Sequence, residues 1–104
     1  MIFLKMEEQF KKIWTKEDES GVGEKHVPKV EVIGDAVKVN VGKVEHPSEP
    51  GHFIQWIEVL DGDISLCRAY LTSFMKPGAA FTLKEKAKNL KVRIFCNLHG
   101  TWQS

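Results

Sequence analysis

The chain has 104 residues, of which 42% are hydrophobic and 28% are charged, a composition typical of a folded globular domain and not of a disordered segment. This length favours one domain, so we expect a single unit over residues 1–104 with a modest core. The 15 basic residues exceed the 14 acidic ones by a net charge of +1, which excludes the strongly basic surface typical of nucleic-acid binding.

Two observations bear on the compartment. The sequence contains two cysteines, Cys67 and Cys96, and no stretch that is long and apolar enough to span a membrane. The opening apolar segment ends at Lys5 and two glutamates follow, which does not fit a secretory signal. We therefore expect a cytoplasmic protein with reduced thiols. In that setting a cysteine near histidines more often indicates a metal site or catalysis than a disulfide.

The N-terminal segment carries apolar residues at spacings of three and four, namely Phe3, Met6, Phe10, Ile13 and Trp14. This spacing predicts a short amphipathic helix that docks on the core. Residues 15–23 are polar and rich in glycine, which predicts a mobile loop. We therefore assign residues 1–23 to a helix and a loop, and residues 24–104 to the main fold.

After Pro28 the pattern changes to β-strands separated by turns. The predicted strands are 30–32, 37–41, 52–60, 64–71, 81–83 and 90–96. Most of them alternate apolar and polar residues, whereas 52–60 is almost continuously apolar, which predicts a central strand. Six or seven short strands with turns between them predict an all-β antiparallel sandwich.

The sequence CNLHG follows the last predicted strand and places a cysteine and a histidine three positions apart. An isolated buried cysteine usually completes a core, and we assign Cys67 to packing because it lies in mid-strand with no histidine nearby in the sequence. Cys96 differs, because His99 follows it within one turn. We expect the main-chain N–H groups of Asn97 and Leu98 to donate to its sulfur and to favour the thiolate.

All four histidines of the chain lie at predicted junctions between loops and strands, where side chains from different strands can converge: His26, His46, His52 and His99. Singly, each would be interpreted as a solvated residue. Together with one thiolate they give five donors, one more than structural zinc usually takes. Five nitrogen and sulfur donors suit a transition metal with one open position, and iron is the natural candidate for redox chemistry with a small molecule.

In combination, these motifs resemble those of superoxide reductase, the neelaredoxin and desulfoferrodoxin family. The resemblance covers residues 24–102 and rests on Glu24-Lys25-His26-Val27-Pro28, His46-Pro47, His52, Trp56, Cys96-Asn97 with His99-Gly100, and Trp102. It implies an immunoglobulin-like β-sandwich that holds a mononuclear non-haem iron.

The resemblance also implies roles for individual residues. The four histidines would bind iron in the equatorial plane, with Cys96 as the axial ligand. Glu24 would be the removable sixth ligand of the ferric state, carried on and off the metal by a mobile loop, and Lys25 would lie beside the open face. The implied reaction is the one-electron reduction of superoxide to hydrogen peroxide. The implied electron donor is rubredoxin or a similar small iron protein, and family members of this kind are compatible with a homodimer or homotetramer.

The chain departs from the family pattern in two places. It is short, which points to a trimmed loop or strand between Cys67 and Leu90 and affects any oligomer contacts there. In addition, Phe53 stands where a second histidine often follows His52. Neither departure removes a predicted ligand.

Three other functions fit parts of the pattern. A blue-copper electron carrier is also a β-sandwich with a Cys-x-x-His pair, but its axial methionine is missing from residues 100–104, and it uses fewer histidines. A structural zinc site is disfavoured because it needs only four ligands. A cysteine hydrolase would pair Cys96 with one histidine and would leave the other three without a role.

Overall fold

The computed structural model describes residues 12–15 and 21–104, which form two β-sheets and contain no α-helix. The strands are β1 (Ile13–Trp14), β2 (Pro28–Ile33), β3 (Ala36–Val41), β4 (Ile54–Asp61), β5 (Ile64–Tyr70), β6 (Gly78–Thr82), β7 (Leu90–Cys96) and β8 (Gly100–Gln103). A short 3₁₀ helix, Gly21–Lys25, precedes β2. In this part of the chain no helix is long and apolar enough to cross a membrane.

The larger sheet has the strand order β1-β8-β7-β4-β5, and the smaller sheet has the order β2-β3-β6. Every pairing is antiparallel except that of β1 with β8, which is parallel. Strand β4 pairs with β5 on one side and with β7 on the other, which confirms the prediction of a central strand. Its continuous apolar sequence follows from burial of side chains on both of its faces.

The two sheets share one hydrophobic core. Alternate side chains of β3 and β7 point into it, so that valines and isoleucines are almost fully removed from water while the intervening lysines and arginines remain partly exposed. The core includes Val37, Val39, Val41, Ile57, Val59, Val92, Ile94 and Cys96. Cys67 packs against the edge of this core, in agreement with its assignment to packing. Both cysteines are free thiols.

The prediction of an N-terminal helix is wrong for the part of that segment that the structure describes. Ile13 and Trp14 form strand β1, which pairs with Thr101 and Trp102 of β8. The Trp14 and Trp102 rings stack with their centroids 5.4 Å apart, and this contact explains the apolar character of the segment without a helix. Phe3, Met6 and Phe10 lie outside the described residues.

The segment predicted as a mobile loop is described only in part. Residues 16–20 lie outside the described residues, whereas residues 21–23 belong to the 3₁₀ helix. The prediction of an irregular loop is therefore wrong for its last three residues.

The strand ends that carry the candidate residues meet at one end of the two-sheet core. Antiparallel pairing sets Pro28, where β2 begins, opposite Val41, where β3 ends. It likewise sets Ile54, where β4 begins, opposite Cys96, where β7 ends, and β8 begins opposite the same cysteine. Three separate segments, namely the one before β2, the β3–β4 loop and the β7–β8 turn, are thereby brought to one place, which is the condition for a site assembled from distant parts of the sequence.

Candidate metal centre

The five predicted nitrogen and sulfur donors converge at this end of the core. Ligand atoms of His26, His46, His52 and Cys96 all lie within 4.8 Å of one another. His99 lies beside them, with its Nδ1 3.7 Å from the Sγ of Cys96. Bonds from a transition metal to nitrogen or sulfur measure about 2.0–2.3 Å, so donors at these separations can share one ion after small movements.

The four imidazole rings form a closed circle. The ring centroid of His26 lies 4.6 Å from that of His46 and 4.7 Å from that of His99. The ring centroid of His52 lies 4.6 Å from that of His46 and 5.1 Å from that of His99. Neighbouring rings are inclined by 65–80°, whereas His26 and His52, across the circle, are 6.3 Å apart and inclined by only 29°. Rings in this arrangement can each direct one nitrogen to a common centre.

The ring of His46 is prepared as a ligand by its own loop. Its Nδ1 lies 2.7 Å from the carbonyl oxygen of Pro47, and because a carbonyl can only accept, Nδ1 carries the proton. The other nitrogen, Nε2, therefore directs its lone pair at the cluster, 3.1 Å from the Nε2 of His26, from which it can accept a hydrogen bond. Burial, together with the neighbouring histidines, lowers the pKa of His46 to about 4, so the ring is neutral and able to bind metal at neutral pH.

Cys96 is completely buried, and two main-chain N–H groups donate to its sulfur, those of Leu98 and His99. The prediction for Leu98 is confirmed. The prediction for Asn97 is wrong, because its N–H continues the β-ladder and donates to the carbonyl oxygen of Phe53 at 3.3 Å. Burial outweighs the two donors and raises the pKa of the Cys96 thiol, so a bound cation is needed to hold the thiolate at neutral pH.

His52 supplies an independent indication of a metal. Its Nε2 is buried and is the one side-chain nitrogen or oxygen atom in residues 12–15 and 21–104 that is buried without a hydrogen-bond partner. A buried polar atom without a partner is costly, on the order of 1–3 kcal/mol, unless another group satisfies it. A metal ion at the centre of the cluster would satisfy this nitrogen. The residues present therefore fit a metal bound by nitrogen and sulfur.

Trp102 supports two of the ring donors, a role that the sequence analysis did not assign. Its ring lies parallel to that of His26, with centroids 5.0 Å apart and an angle of 24°. Its Nε1 donates to the main-chain carbonyl oxygen of His99 at 3.1 Å. Buried and half-buried residues alternate in β8, which places Trp102 on the core side of that strand. Trp56, by contrast, stacks on Phe95 and lies under Arg68.

Glu24 and Lys25 lie in the 3₁₀ helix next to His26, Glu24 half-buried and Lys25 exposed. The carboxylate of Glu24 is not part of the group of donors within 4.8 Å of one another. The Glu24 carbonyl accepts hydrogen bonds from the N–H groups of Lys43 (2.8 Å) and Val44 (3.3 Å), which ties this helix to the loop that leads to His46. The main chain of both residues is thus helical and not extended.

Comparison with known proteins agrees with this geometry. The family model described as desulfoferrodoxin matches residues 18–104, which is most of the chain and includes every candidate ligand. The chain belongs to the desulfoferrodoxin family. The sequence pattern of that family thus occurs in a chain that has two β-sheets and a cluster of side chains able to hold a metal.

Individual members of the desulfoferrodoxin family are similar over most of this chain. A desulfoferrodoxin homolog of Methanothermobacter thermautotrophicus is 49% identical over 79 residues, covering 76% of this chain and 62% of that protein. A superoxide reductase of Pyrococcus abyssi is 41% identical over 98 residues, covering 79% of this chain and 85% of that protein. The solved structure of the superoxide reductase (neelaredoxin) of Ignicoccus hospitalis superposes with a TM-score of 0.71 at 34% identity, covering 88% of this chain and 89% of the other. The chain thus spans less than two thirds of the length of the first of these relatives.

Proposed function

We propose that the chain is a superoxide reductase with a mononuclear non-haem iron. The reaction adds one electron and two protons to superoxide and gives hydrogen peroxide. The observation that carries this proposal is the convergence of four imidazole rings and one buried thiol on a single centre, in a chain of the desulfoferrodoxin family. Four histidines also argue against a blue-copper site, and five donors argue against structural zinc.

The proposed ligands are His26, His46, His52 and His99 in the equatorial positions and Cys96 in the axial position. The circle of four rings supports the equatorial assignment, since His26 and His52, across the circle, are inclined by only 29° and neighbouring rings by 65–80°. The atoms that face the cluster are the Nε2 atoms of His26 and His46 and the Nδ1 of His99, and the orphaned nitrogen of His52 is its Nε2. When bound, iron supplies a reversible one-electron couple and a position open to a small anion.

The chain's own contribution at the axial side is to hold a thiolate in a dry environment. Cys96 has no exposure to solvent, and the N–H groups of Leu98 and His99 donate to its sulfur. Such donors withdraw electron density from a thiolate and keep it oriented. Burial keeps water and dissolved oxidants away from the sulfur, which protects the most easily oxidised of the proposed ligands.

Glu24 is the proposed removable sixth ligand of the ferric state. The two hydrogen bonds at its carbonyl hold its main chain, so we infer that rotation of the side chain, and not movement of a loop, brings the carboxylate to the metal and away from it. A carboxylate is a hard ligand that prefers ferric to ferrous iron, so its binding depends on the oxidation state.

Lys25 is the proposed cation at the open face. Its ammonium group is exposed and belongs to a residue adjacent in sequence to the proposed ligand His26. A positive charge there attracts the superoxide anion, stabilises negative charge that develops during the reaction, and orients water that can supply protons.

The electron comes from outside this chain in our proposal, because the described residues hold one cluster of metal-binding side chains and no second. The proposed donor is rubredoxin or a similar small iron protein that docks transiently. A homodimer or homotetramer and an immunoglobulin-like arrangement of the two sheets are part of the proposal as expectations from the family resemblance. The cytoplasmic location remains an expectation from the sequence analysis.

The activity is tested by following superoxide-dependent oxidation of reduced rubredoxin by the iron-loaded protein. We expect one donor molecule to be oxidised for each superoxide consumed and hydrogen peroxide to accumulate without release of dioxygen. The Cys96→Ser variant should lose most of this turnover, whereas Cys67→Ser, which changes the other thiol, should retain it. Superoxide loss with equal release of dioxygen and hydrogen peroxide would indicate dismutation and would contradict the proposal.

A further inference from the structure

The main chain around His52 is fixed from two sides. Glu49 and His52 exchange both of their main-chain hydrogen bonds, each 2.9 Å long, and so close a tight turn before β4. On the other side lies the side chain of Asn97. Its Oδ1 accepts from the N–H of Phe53 at 2.9 Å, and its Nδ2 donates to the carbonyl oxygen of Gly51 at 2.9 Å. These two hydrogen bonds bracket His52, one on each neighbouring residue.

Asn97 also belongs to the turn that carries two other donors. It directly follows Cys96 and precedes His99 by two positions, and its own N–H donates to the carbonyl oxygen of Phe53 at 3.3 Å. Asn97 therefore connects the turn that carries Cys96 and His99 to the loop that carries His52. The ring nitrogen that this connection directs inward is the buried His52 Nε2, which has no hydrogen-bond partner.

The chemistry of this connection requires an amide. It uses an acceptor and a donor on the same short side chain, and only asparagine offers both at this length. Aspartate at neutral pH can accept from the Phe53 N–H but cannot donate to the Gly51 carbonyl oxygen, and alanine can do neither.

We propose that Asn97 is a positioning residue of the metal centre, which holds the His52 loop against the Cys96 turn so that the His52 Nε2 faces the metal. The inference rests on the metal-binding part of the function proposed above. Asn97 acts through His52 and does not itself contact the metal or the substrate. Fixing a ligand before the metal arrives lowers the cost of ordering it on binding, which is why residues behind metal ligands affect affinity.

The test uses Co²⁺ as the probe, added to the metal-free full chain, with the affinity read from the thiolate-to-cobalt absorption. We expect Asn97→Ala to weaken Co²⁺ binding by about 10- to 100-fold. The matched control is Asn89→Ala, because Asn89 is an exposed asparagine that precedes β7 as Asn97 follows it. We expect this control to bind Co²⁺ as the wild type does. Wild-type affinity in Asn97→Ala would overturn the proposal.

Asn97→Asp separates positioning from charge. A carboxylate near a divalent cation would strengthen binding by Coulomb attraction alone. Because aspartate loses the hydrogen bond to Gly51, we expect Co²⁺ binding that is weaker than in the wild type and stronger than in Asn97→Ala. This variant also answers the question if Asn97→Ala does not fold. Binding at or above the wild-type affinity in Asn97→Asp would overturn the proposal.

A role limited to fold stability is separated by two further measurements. A purely structural contact would lower the unfolding temperature equally with and without Co²⁺, whereas a positioning residue reduces the rise in that temperature that Co²⁺ produces. In addition, Asn97→Ala should cost no further affinity in a His52→Ala background, because the ligand it positions is already gone. Additive losses, or equal shifts in unfolding temperature, would contradict the proposal.

These measurements do not involve superoxide, so the two proposals can fail separately. A wild-type protein without the thiolate-to-cobalt absorption would refute the proposed metal centre itself. A wild-type protein that binds Co²⁺ as strongly as its Asn97 variants would refute only the role of Asn97.

Discussion

At the scale of single residues, the centre depends on which ring nitrogens face the cluster. The His46 ring uses Nδ1 to bind the Pro47 carbonyl and so presents Nε2, while the His52 Nε2 is buried with no partner in the described part of the chain. Burial favours the neutral form of His46 and of His99 by lowering their pKa values. The rings of His46 and His99 are therefore ready to bind a metal without first losing a proton at neutral pH.

His46 makes the stability of the metal-free protein depend on pH. The unfolded chain takes up a proton at this ring near pH 6.5, whereas the folded protein resists until about pH 4. The unfolded state thus binds more protons between these values, so the free energy of unfolding falls as the pH is lowered across this interval. The full loss is about 3 kcal/mol for a shift of this size. Urea unfolding of metal-free protein across the interval measures it. A His46→Asn variant should show a shallower dependence, and an unchanged dependence would refute the assignment.

Glu24 should affect the ferric state and not the encounter with superoxide. We expect Glu24→Ala to change the spectrum of the oxidised iron protein and to let azide or cyanide bind it, because the proposed sixth ligand is gone. The second-order rate with superoxide should stay close to that of the wild type. Glu45→Ala is a suitable control, since Glu45 is an exposed carboxylate next to His46. An unchanged ferric spectrum in Glu24→Ala would show that Glu24 is a solvated residue.

The convergence of the five candidate donors could be predicted from the sequence because it depends on residue types that are rare in this chain. Four histidines at loop–strand junctions and one cysteine at a strand end leave few combinations. The donors to the Cys96 sulfur were harder to predict. Asn97 directly follows Cys96, but its N–H donates to the carbonyl oxygen of Phe53 and not to the sulfur. The second N–H that donates to the sulfur is instead that of His99. That outcome depends on the pairing of β4 with β7, which local sequence does not encode.

At the scale of elements, the 3₁₀ helix and the β3–β4 loop support each other through main-chain contacts. The contact centres on Gly42, whose φ of +91° is in the left-handed region. A Cβ at this position would come within 2.3 Å of the Val44 carbonyl oxygen and 2.6 Å of the Lys25 carbonyl oxygen. Only glycine allows this close approach, which joins the segment of Glu24 and Lys25 to the loop of His46.

We therefore expect Gly42→Ala to lower the free energy of unfolding by more than about 2 kcal/mol, since it adds main-chain overlap to conformational strain. Gly34→Ala is the matched control. Gly34 also has a positive φ, of 62°, but a Cβ there meets nothing within 4 Å, so this variant suffers the strain alone, about 1 kcal/mol. Urea unfolding of both variants measures the difference. Equal losses would mean that the contact at Gly42 does not hold the two elements together.

The strands in the middle of the chain were predictable because alternation is a local property. Strands β3 and β7 show it directly, and the continuous apolar run of β4 reflects its position between two neighbours. Strand β1 was not predictable in this way. It has only two residues, and its partner strand is at the other end of the chain. The spacing of apolar residues by three and four is typical of a helix, and it does not reveal that Trp14 stacks on Trp102.

At the scale of the whole molecule, the net charge of +1 gives little long-range attraction for an anion. If the chain reduces superoxide as we propose, its capture depends on local positive potential at the open face of the metal. In our proposal this potential comes from the metal and from Lys25, and the electron comes from a separate protein. Weak electron-transfer complexes of this kind bury less than about 1,200 Å² of surface in total.

We expect Lys25→Ala to slow the second-order reaction with superoxide by about tenfold, or about 1.4 kcal/mol, with the metal content unchanged. The wild-type rate should fall as salt is added, and the rate of the variant should fall less steeply, because screening acts on the charge that was removed. Stopped-flow kinetics at several ionic strengths measure both effects. Lys29→Ala serves as a control, since Lys29 is an exposed lysine on β2. Equal rates and equal salt dependence for Lys25→Ala and the wild type would remove Lys25 from the mechanism.

The central claim is that one iron is held by four imidazoles and the Cys96 thiolate, and the visible absorption spectrum of the oxidised, iron-loaded protein tests it most directly. We expect a thiolate-to-ferric charge-transfer band that persists in Cys67→Ser and disappears in Cys96→Ser, while some iron remains bound to the histidines in the latter variant. An oxidised protein that carries one iron per chain and shows no such band, or a Cys96→Ser variant that keeps it, would contradict the account.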